Sequence, residues 1–277
     1  EVVEFMKISS QHFNLLVSKH DQFNLHHDQY EKFIVCYLKL WDKMNGVIGL
    51  GSSQFLFFPS AMGITTSLIQ ILLTNAEKVY NEQDDTDSFW EQLAIRSFSI
   101  LKKILNYINS NKNSKTIVLK HREDTETIRH VVSEYQTNIF NNEFMSTFVD
   151  LLINYYMKLR PIELENWAMD PEEWVNEELD SSYQYQIRPC AENFFTTLTE
   201  VFKDSIPAYI LNKLNEHENY DFLTKDSLFA GFQLSAYSLA DHVDFDEILP
   251  RVFLSQLTGD TSTNSASEIK IIIRRIC

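Results

Sequence analysis

The sequence contains few residues that interrupt helices. Glycine and proline each occur 6 times among 277 residues, below the average shares of about 7% and 5%. Leucine, isoleucine, phenylalanine, lysine, glutamate and asparagine are abundant instead. This composition predicts long helices joined by few tight turns, and it argues against an all-β fold.

Cysteine is also scarce, and the three cysteines, Cys36, Cys190 and Cys277, lie far apart in the chain. Two of them fall in apolar stretches with helical spacing. A disulfide framework or a metal site would be expected to bring cysteines together in short spacings. We therefore expect free, buried thiols in a reducing compartment.

No sequence pattern points to catalysis, a cofactor or a metal ion. The motifs G-x-S-x-G and H-E-x-x-H and a Cys/His/Asn arrangement do not occur. The glycine cluster Gly46–Gly51 lacks the Lys-Ser/Thr of a phosphate loop, so it predicts a helix end and a turn. The densest set of possible metal ligands does not fit an i, i+4 pair on a helix and predicts a polar interhelical loop instead. Its members are His20, His26, His27 and Asp28.

Negative charge dominates the chain. There are 24 Lys and Arg residues against 39 Asp and Glu residues, which gives a formal net charge of −15. An acidic protein repels nucleic-acid phosphates and attracts basic proteins or peptides, so we expect no direct binding to nucleic acid. No run of about 18 apolar residues occurs, so membrane insertion is not expected either.

Apolar residues recur at helical spacing along most of the chain. The pattern predicts about eleven or twelve helices in consecutive antiparallel pairs, with roughly 40–50 residues per pair. Each helix has one broad apolar face and one polar face, which suits a two-layer solenoid better than a compact bundle. We predict an all-α fold, an α-solenoid of HEAT repeats stacked into a superhelix and continuous over residues 1–277.

Several helix starts can be located from capping residues. Ser88 with Glu91, and Asp244 with Glu247, have the spacing of a capping box, in which the first side chain accepts a free backbone N–H. Thr224 is predicted to cap another helix. Pro250 is expected to kink or offset the helix that follows Asp244.

Both ends of the sequence are expected to be cuts through a longer chain. Glu1 is followed at once by apolar residues, and Cys277 ends an apolar segment. End repeats of a solenoid normally carry polar caps. We therefore expect the terminal helices to expose apolar residues that neighbouring repeats would cover, namely Val2, Phe5, Ile271 and Ile272.

An acidic, aromatic-rich segment at residues 160–187 is predicted to be an insertion between helices, without helical or alternating periodicity. Between Pro161 and Asp180 it contains no Lys or Arg but eight carboxylates: Glu163, Glu165, Asp170, Glu172, Glu173, Glu177, Glu178 and Asp180. Long connections in compact domains are usually either functional or disordered, and disordered segments are poor in aromatic residues. Three interpretations stay open: a solvated loop, a docking surface for a basic partner, or a brace in which Trp167 and Trp174 hold the loop on its own repeats.

Two blocks of this sequence resemble the importin-β superfamily of nuclear transport receptors, and are most similar to the importin-eleven type and its fungal counterpart. The first block contains Trp167, the run Asp170-Pro171-Glu172-Glu173 and the run Arg188-Pro189-Cys190. The second block is Leu223–Leu249, and the segment from Ile269 to Arg275 is similar to a following helix. The N-terminal half is similar only in its paired helices.

This resemblance implies a non-enzymatic receptor that carries protein cargo through nuclear pores and shuttles between cytoplasm and nucleus. Such receptors bind the small GTPase Ran in its GTP form and the phenylalanine-glycine repeats of nucleoporins. Partner-binding residues are expected in the acidic segment, where negative charges would attract a basic cargo surface and a tryptophan would anchor it. These residues are Glu172, Glu173, Trp174, Glu177, Glu178 and Asp180. An exportin, or a HEAT-repeat scaffold without transport activity, is the alternative function.

Overall fold

The computed structural model describes residues 1–22, 27–46, 54–82, 88–112, 122–179, 184–240, 242–258 and 266–276. Every regular element in these ranges is a helix, which confirms the all-α prediction. The chain divides into two compact units. The first comprises Glu1–Asn75 and Asp87–Phe144, and the second comprises Ala76–Thr86 and Met145–Cys277.

The first unit is built from long helices. They are α1 (Val2–Ser18), α2 (His27–Gly46), α3 (Ala61–Tyr80), α4 (Phe89–Lys112) and α5 (Arg122–Asn138), with short 3₁₀ turns at His20–Gln22 and Gln54–Phe57. Helix α6 (Asn142–Leu151) begins in this unit and ends in the second, and the last turn of α3 also belongs to the second.

Helices α1, α2, α4 and α5 of the first unit pack in sequence order, α1 on α2, α2 on α4 and α4 on α5. Phe13 of α1 meets Trp41 of α2 edge to face, with 4.8 Å between ring centres, and both side chains are fully buried. Asp42 of α2, next to Trp41, pairs with α4, since the Lys103 ammonium lies 2.7 Å from its carboxylate. Burial of large aromatic side chains and a few polar links therefore hold this unit together.

The second unit contains shorter helices. They are α7 (Pro161–Met169), α8 (Pro171–Leu179), α9 (Ile187–Val201), α10 (Ile206–Asn215), α11 (Phe222–Leu234), α12 (Ala236–Leu239), α13 (Phe245–Ile248), α14 (Ser255–Thr258) and α15 (Ala266–Ile276). A π-helical turn at Leu152–Tyr156 extends α6, another at Leu249–Leu254 joins α13 to α14, and a 3₁₀ turn lies at His217–Asn219.

Helices α9 and α11 form the centre of the second unit. Helix α9 packs against α11 and the first π-helical turn, and α11 also contacts α10 and α15. At Gly231 of α11 an added Cβ would lie 3.2 Å from the ring of Phe195, which is fully buried on α9. A side chain at this position would therefore require the Phe195 ring to shift by a few tenths of an ångström.

The predicted helix starts are confirmed at two of three caps. Ser88 Oγ accepts the backbone N–H of Glu91 at 3.2 Å, and Asp244 Oδ1 accepts that of Asp246 at 3.0 Å. The assignment of Thr224 is wrong, because the cap of α11 is Asp221, whose Oδ1 accepts the Thr224 N–H at 2.9 Å. The offset expected at Pro250 is confirmed, since Pro250 lies in the second π-helical turn.

The segment at residues 160–187 is more regular than its sequence suggested. Helices α7 and α8 occupy most of it, so the expectation of no helical structure is wrong. Both helices begin at a proline, which suits the first helical position because its missing N–H would have no partner there. Each is only nine residues long, which is too short for a clear period of apolar residues to be read from sequence.

The exposure of terminal apolar residues was predicted correctly at one end. Val2 and Phe5 are 56% and 50% exposed. Ile271 and Ile272 are buried, contrary to expectation, because α15 packs against α11 and α14.

The expectation of free, buried thiols is correct for one described cysteine. Cys190 is a buried free thiol on α9. Cys36 is also free, but it is exposed. Cys36 is exposed because it lies opposite the face of α2 that buries Ile34, Leu38 and Trp41. Cys277 lies outside the described residues.

Candidate partner-binding site

The buried side of α8 carries Trp174, which is 6% exposed. Its ring meets that of Trp167 on α7 edge to face, with 5.2 Å between ring centres. The Arg274 guanidinium lies 4.6 Å from the centre of the Trp174 ring and that of Arg188 lies 5.7 Å from it. Both distances are within the range of cation–π contacts. Trp174 therefore joins α8 to α7, α9 and α15.

Glu178, one turn after Trp174, binds the same two arginines. Glu178 Oε1 accepts from Arg188 Nη1 at 2.7 Å, and Glu178 Oε2 forms an ion pair with Arg274. Arg188 also donates through Nε to Glu163 of α7 at 2.9 Å. We call Trp167, Trp174, Glu178, Arg188 and Arg274 the α8 clamp.

Ion pairing shifts the pKa values inside the α8 clamp. Burial by itself would lower the pKa of Arg188, but the charges of Glu163, Glu178 and Glu192 outweigh it, so the pKa of this guanidinium is raised. Burial would raise the pKa of Glu178, but Arg188 and Arg274 hold it below its ordinary value. Both groups are therefore charged in the folded protein at neutral pH.

A second ion pair holds α15 against α11. Asp226 on α11 is completely buried, and its Oδ1 accepts from Arg275 Nε at 3.0 Å. Arg274 Nη2 lies 3.6 Å from the same carboxylate oxygen. The adjacent arginines of α15 thus reach two carboxylates on different helices, Glu178 and Asp226. A buried charge needs such a partner, so this arrangement fixes the position of α15.

The opposite side of α8 is exposed. Asp170 caps the helix, and its Oδ1 accepts the backbone N–H groups of Glu172 at 3.1 Å and Glu173 at 3.0 Å. The side chains of all three residues face solvent, as does Met169, which is 76% exposed. We call Asp170, Glu172 and Glu173 the α8 acidic edge. A basic partner can approach this edge without breaking the contacts of the α8 clamp.

The structure therefore separates the residues predicted to bind a partner. Trp174 and Glu178 lie in the α8 clamp, whereas Glu172 and Glu173 lie on the α8 acidic edge. Glu177 lies in α8, but the structure does not describe its side chain, and Asp180 lies outside the described residues. A partner-binding role for all six residues stays a prediction.

The arginines of the α8 clamp did not emerge as site residues from sequence reasoning. In the sequence, Arg188 belongs to the run Arg188-Pro189-Cys190 of the first similar block, and Arg274 belongs to the similar segment from Ile269 to Arg275. A signal was present, because residues 161–187 contain eight carboxylates up to Asp180 and no Lys or Arg. Carboxylates that become buried need cations from elsewhere in the chain.

The His20 group shows no metal-binding arrangement in the described part of the chain. His20 is buried, its Nε2 lies 2.9 Å from Glu31 Oε1, and its ring stacks on Phe89 with 4.5 Å between centres. His26 and the side chain of His27 lie outside the described part. Among described residues, no three His, Cys, Asp or Glu side chains are close enough to hold a metal ion. No described helix combines the length and apolar character needed to cross a membrane.

Comparison with known proteins identifies similar chains. No protein-family model matches this sequence. It is 42% identical to the importin beta-like protein KAP120 of Saccharomyces cerevisiae over 99% of this chain and 26% of that protein. It is 25% identical to human importin-11 over 69% of this chain and 20% of that protein.

A solved structure supports the same relationship. The structure of Lph2, described as a bidirectional nuclear transport receptor of S. cerevisiae, matches 99% of this chain with a TM-score of 0.85 and 39% identity. The match covers 27% of the Lph2 chain. It confirms the prediction of a HEAT-repeat α-solenoid fold. In sequence and fold this chain belongs with the importin-β-like nuclear transport receptors, and it spans about a quarter of the length of KAP120.

Proposed function

We propose that this chain works in a nuclear transport receptor of the importin type, which carries protein cargo into the nucleus under the control of the Ran GTPase. The observation that carries the proposal is 42% identity to an importin beta-like protein over 99% of the chain. The protein would shuttle between cytoplasm and nucleus. Because the chain spans only 26% of that relative, binding of Ran-GTP and of phenylalanine-glycine nucleoporins would involve mainly regions outside these residues.

The proposed cargo has a basic surface. The net charge of −15 supports this, and so does the exposure of Glu172 and Glu173 on the α8 acidic edge. Glu177 and Asp180 would extend the same surface. An exposed ion pair contributes about 0.2–1 kcal/mol, so several such contacts would give rapid, salt-sensitive association. Tight binding would need further apolar contacts elsewhere on the receptor.

Control by Ran would be a coupling between two binding events. If Ran-GTP lowers the affinity for cargo, cargo must lower the affinity for Ran-GTP by the same factor. Small changes in the packing between successive helix pairs would transmit this coupling. In an importin the coupling is negative, so Ran-GTP releases cargo in the nucleus.

The test is a pull-down of basic cargo by the full-length protein, with Ran locked in its GTP or its GDP form. The proposal predicts that Ran-GTP is bound and displaces cargo, whereas Ran-GDP does neither. Binding that does not distinguish the two nucleotide states would contradict the proposal and support a HEAT-repeat scaffold.

An exportin activity is the second candidate, and one observation favours it. The solved relative is described as bidirectional. Export would require positive coupling, so cargo and Ran-GTP would each increase the affinity for the other. The same pull-down separates the two, because an exported cargo is retained more strongly when Ran-GTP is present.

A further inference from the structure

A polar cleft of about 390 Å³ lies in the second unit, apart from the α8 clamp. Its walls come from the last turn of α3, the π-helical turn after α6 and the start of α11. The residues that matter for its chemistry are Glu77, Tyr80, Asn154, Tyr155 and Lys158. We call it the Tyr155 cleft.

The π-helical turn provides the aromatic wall of the Tyr155 cleft. Leu152, Ile153 and Tyr156 of this turn are buried, whereas Asn154 and Tyr155 are exposed. The Tyr155 ring meets that of Tyr80 edge to face, with 6.4 Å between centres. Short π-helical turns within α-helices are rare and occur frequently at functional sites. Here the turn leaves one aromatic ring open to a ligand.

The charge available to a ligand in the Tyr155 cleft is negative. Lys158 Nζ donates to Asp221 Oδ2 at 3.0 Å and to Thr224 Oγ1 at 2.9 Å, so this cation is already paired. Glu77 is exposed on the rim. The pKa of the Tyr80 hydroxyl is raised by burial and by the negative charges of Asp221 and Glu163. Lys158 Nζ also lies 5.8 Å from the centre of the Tyr80 ring, so that ring already faces a cation. The exposed Tyr155 ring and the exposed Glu77 carboxylate are the groups that a second cation would meet.

The remaining polar groups suit a peptide main chain. Asn154 Nδ2 donates to the backbone oxygen of Asp150 at 2.8 Å, which leaves its side-chain oxygen to accept an N–H group. Asn81 places a second amide, which can both donate and accept, on the lining of the cleft. The cleft is open, so a ligand can enter as a side chain and remain attached to a longer chain.

We propose that the Tyr155 cleft binds an arginine side chain of an extended peptide segment in a protein partner. The guanidinium stacks on Tyr155 and pairs with Glu77, and the amides of Asn81 and Asn154 hold the main chain. Arginine is favoured over lysine because a planar guanidinium both stacks on an aromatic ring and forms paired hydrogen bonds to a carboxylate. The inference deepens the proposed function, on which it rests for the presence of a basic cargo.

The test uses the full-length protein and the peptide acetyl-Gly-Gly-Arg-Gly-Gly-amide, titrated by ligand-observed NMR. Peptides with lysine, citrulline or glutamate in place of arginine are the controls. Citrulline keeps the shape of arginine but has no charge. The expected order of affinity is arginine above lysine, with citrulline and glutamate weakest. Glu77→Gln should weaken the arginine peptide about two- to fivefold, the effect of one exposed ion pair.

A matched pair of variants tests the tyrosine wall. Tyr155→Ala should weaken the arginine peptide about two- to tenfold through loss of a cation–π contact, whereas Tyr155→Phe should stay within about twofold. Glu200→Gln, an exposed change on α9 outside the cleft, should leave binding unchanged. Melting curves of all variants show whether each one is folded.

Three results would overturn the inference. They are equal binding of the arginine and citrulline peptides, tighter binding of the glutamate peptide, and binding unaffected by both Glu77→Gln and Tyr155→Ala. The proposed function fails separately. If both variants bind a basic cargo as the wild type does and Ran-GTP still affects this binding, the proposal for the Tyr155 cleft is wrong and the receptor function stands. If Ran-GTP has no effect on cargo binding, the receptor function is wrong, and the arginine peptide still tests the cleft separately.

Discussion

The two sides of helix α8 carry the same kind of residue in opposite settings. Glu178 on the buried side pairs with Arg188 and Arg274. Glu172 and Glu173 on the exposed side contact Asp170 through their backbone N–H groups, and their side chains face solvent. Among the residues that the structure describes, the difference is whether a cation reaches the carboxylate. Acidic residues that are neighbours in sequence therefore divide into a set that holds helices together and a set that is exposed to solvent.

The largest effect is expected from Trp174→Ala on the buried side. The change removes a buried aromatic side chain that packs on Trp167 and lies beside Arg188 and Arg274. Truncation of a buried tryptophan costs about 3–5 kcal/mol. We expect the free energy of unfolding to fall by this amount in urea titrations. A loss below about 1 kcal/mol would mean that Trp174 does not brace the helices around it.

A smaller loss is expected from Glu178→Gln, which keeps the shape of the side chain and removes its charge. Arg188 retains Glu163 and Glu192 as partners, so it is not left unpaired. Removing one partner of a buried charged group costs about 1–3 kcal/mol. The matched control is Glu173→Gln on the exposed side, which should change the free energy of unfolding by less than about 0.5 kcal/mol. Equal losses of unfolding free energy in the two variants would contradict the division of α8 into a buried and an exposed side.

The pH dependence of stability sharpens the same comparison. Burial tends to raise the pKa of Glu178, but Arg188 and Arg274 outweigh it and hold the pKa below the ordinary value of 4.5. A carboxylate with a lowered pKa in the folded state stabilises the protein above its unfolded pKa and loses this contribution as the pH falls through the folded pKa. The stability difference between wild type and Glu178→Gln should therefore be constant above about pH 6 and narrow in acid below pH 4.5.

The measurement must compare the free energies of unfolding of the two proteins, because the wild-type curve alone also contains the contribution of Glu192. Burial is the largest influence on Glu192, and it raises the pKa of this carboxyl. The contribution of Glu192 to the free energy of unfolding therefore depends on pH in the opposite sense to that of Glu178. It is present below the unfolded pKa and is lost as the pH rises through the folded pKa. Both proteins contain Glu192, so subtraction reduces its contribution, but it does not cancel fully because the charge of Glu178 is one cause of the raised Glu192 pKa. A difference that widens as the pH falls would contradict the assignment of Glu178 to the α8 clamp.

The fold could be predicted from the sequence largely because its signals are local. Apolar residues such as Phe194, Phe195 and Leu198 recur at helical spacing, and all three are buried on α9. Capping is equally local, and the prediction failed only at α11, which begins three residues before Thr224 with Asp221 as its cap. Helices α7 and α8 were missed because nine residues give too few turns for a period to be recognised.

The α8 clamp could not be predicted because its contacts are remote in sequence. Glu178 binds Arg188, 10 residues away, and Arg274, 96 residues away. The composition of the acidic segment shows that cations are needed but not which arginines supply them. For the same reason, the sequence predicts a single set of partner-binding residues between 172 and 180, although the structure divides those that it describes between two sides of α8.

The most direct test of the central claim is the affinity of the full-length protein for a basic cargo after the double change Glu172→Lys/Glu173→Lys. Both side chains are exposed, so the melting temperature should stay the same. The account predicts that affinity falls about fivefold or more, because two exposed ion pairs are replaced by repulsion, and that the dependence on salt becomes weaker. Unchanged affinity with unchanged salt dependence in a folded variant would contradict a partner-binding role for the α8 acidic edge.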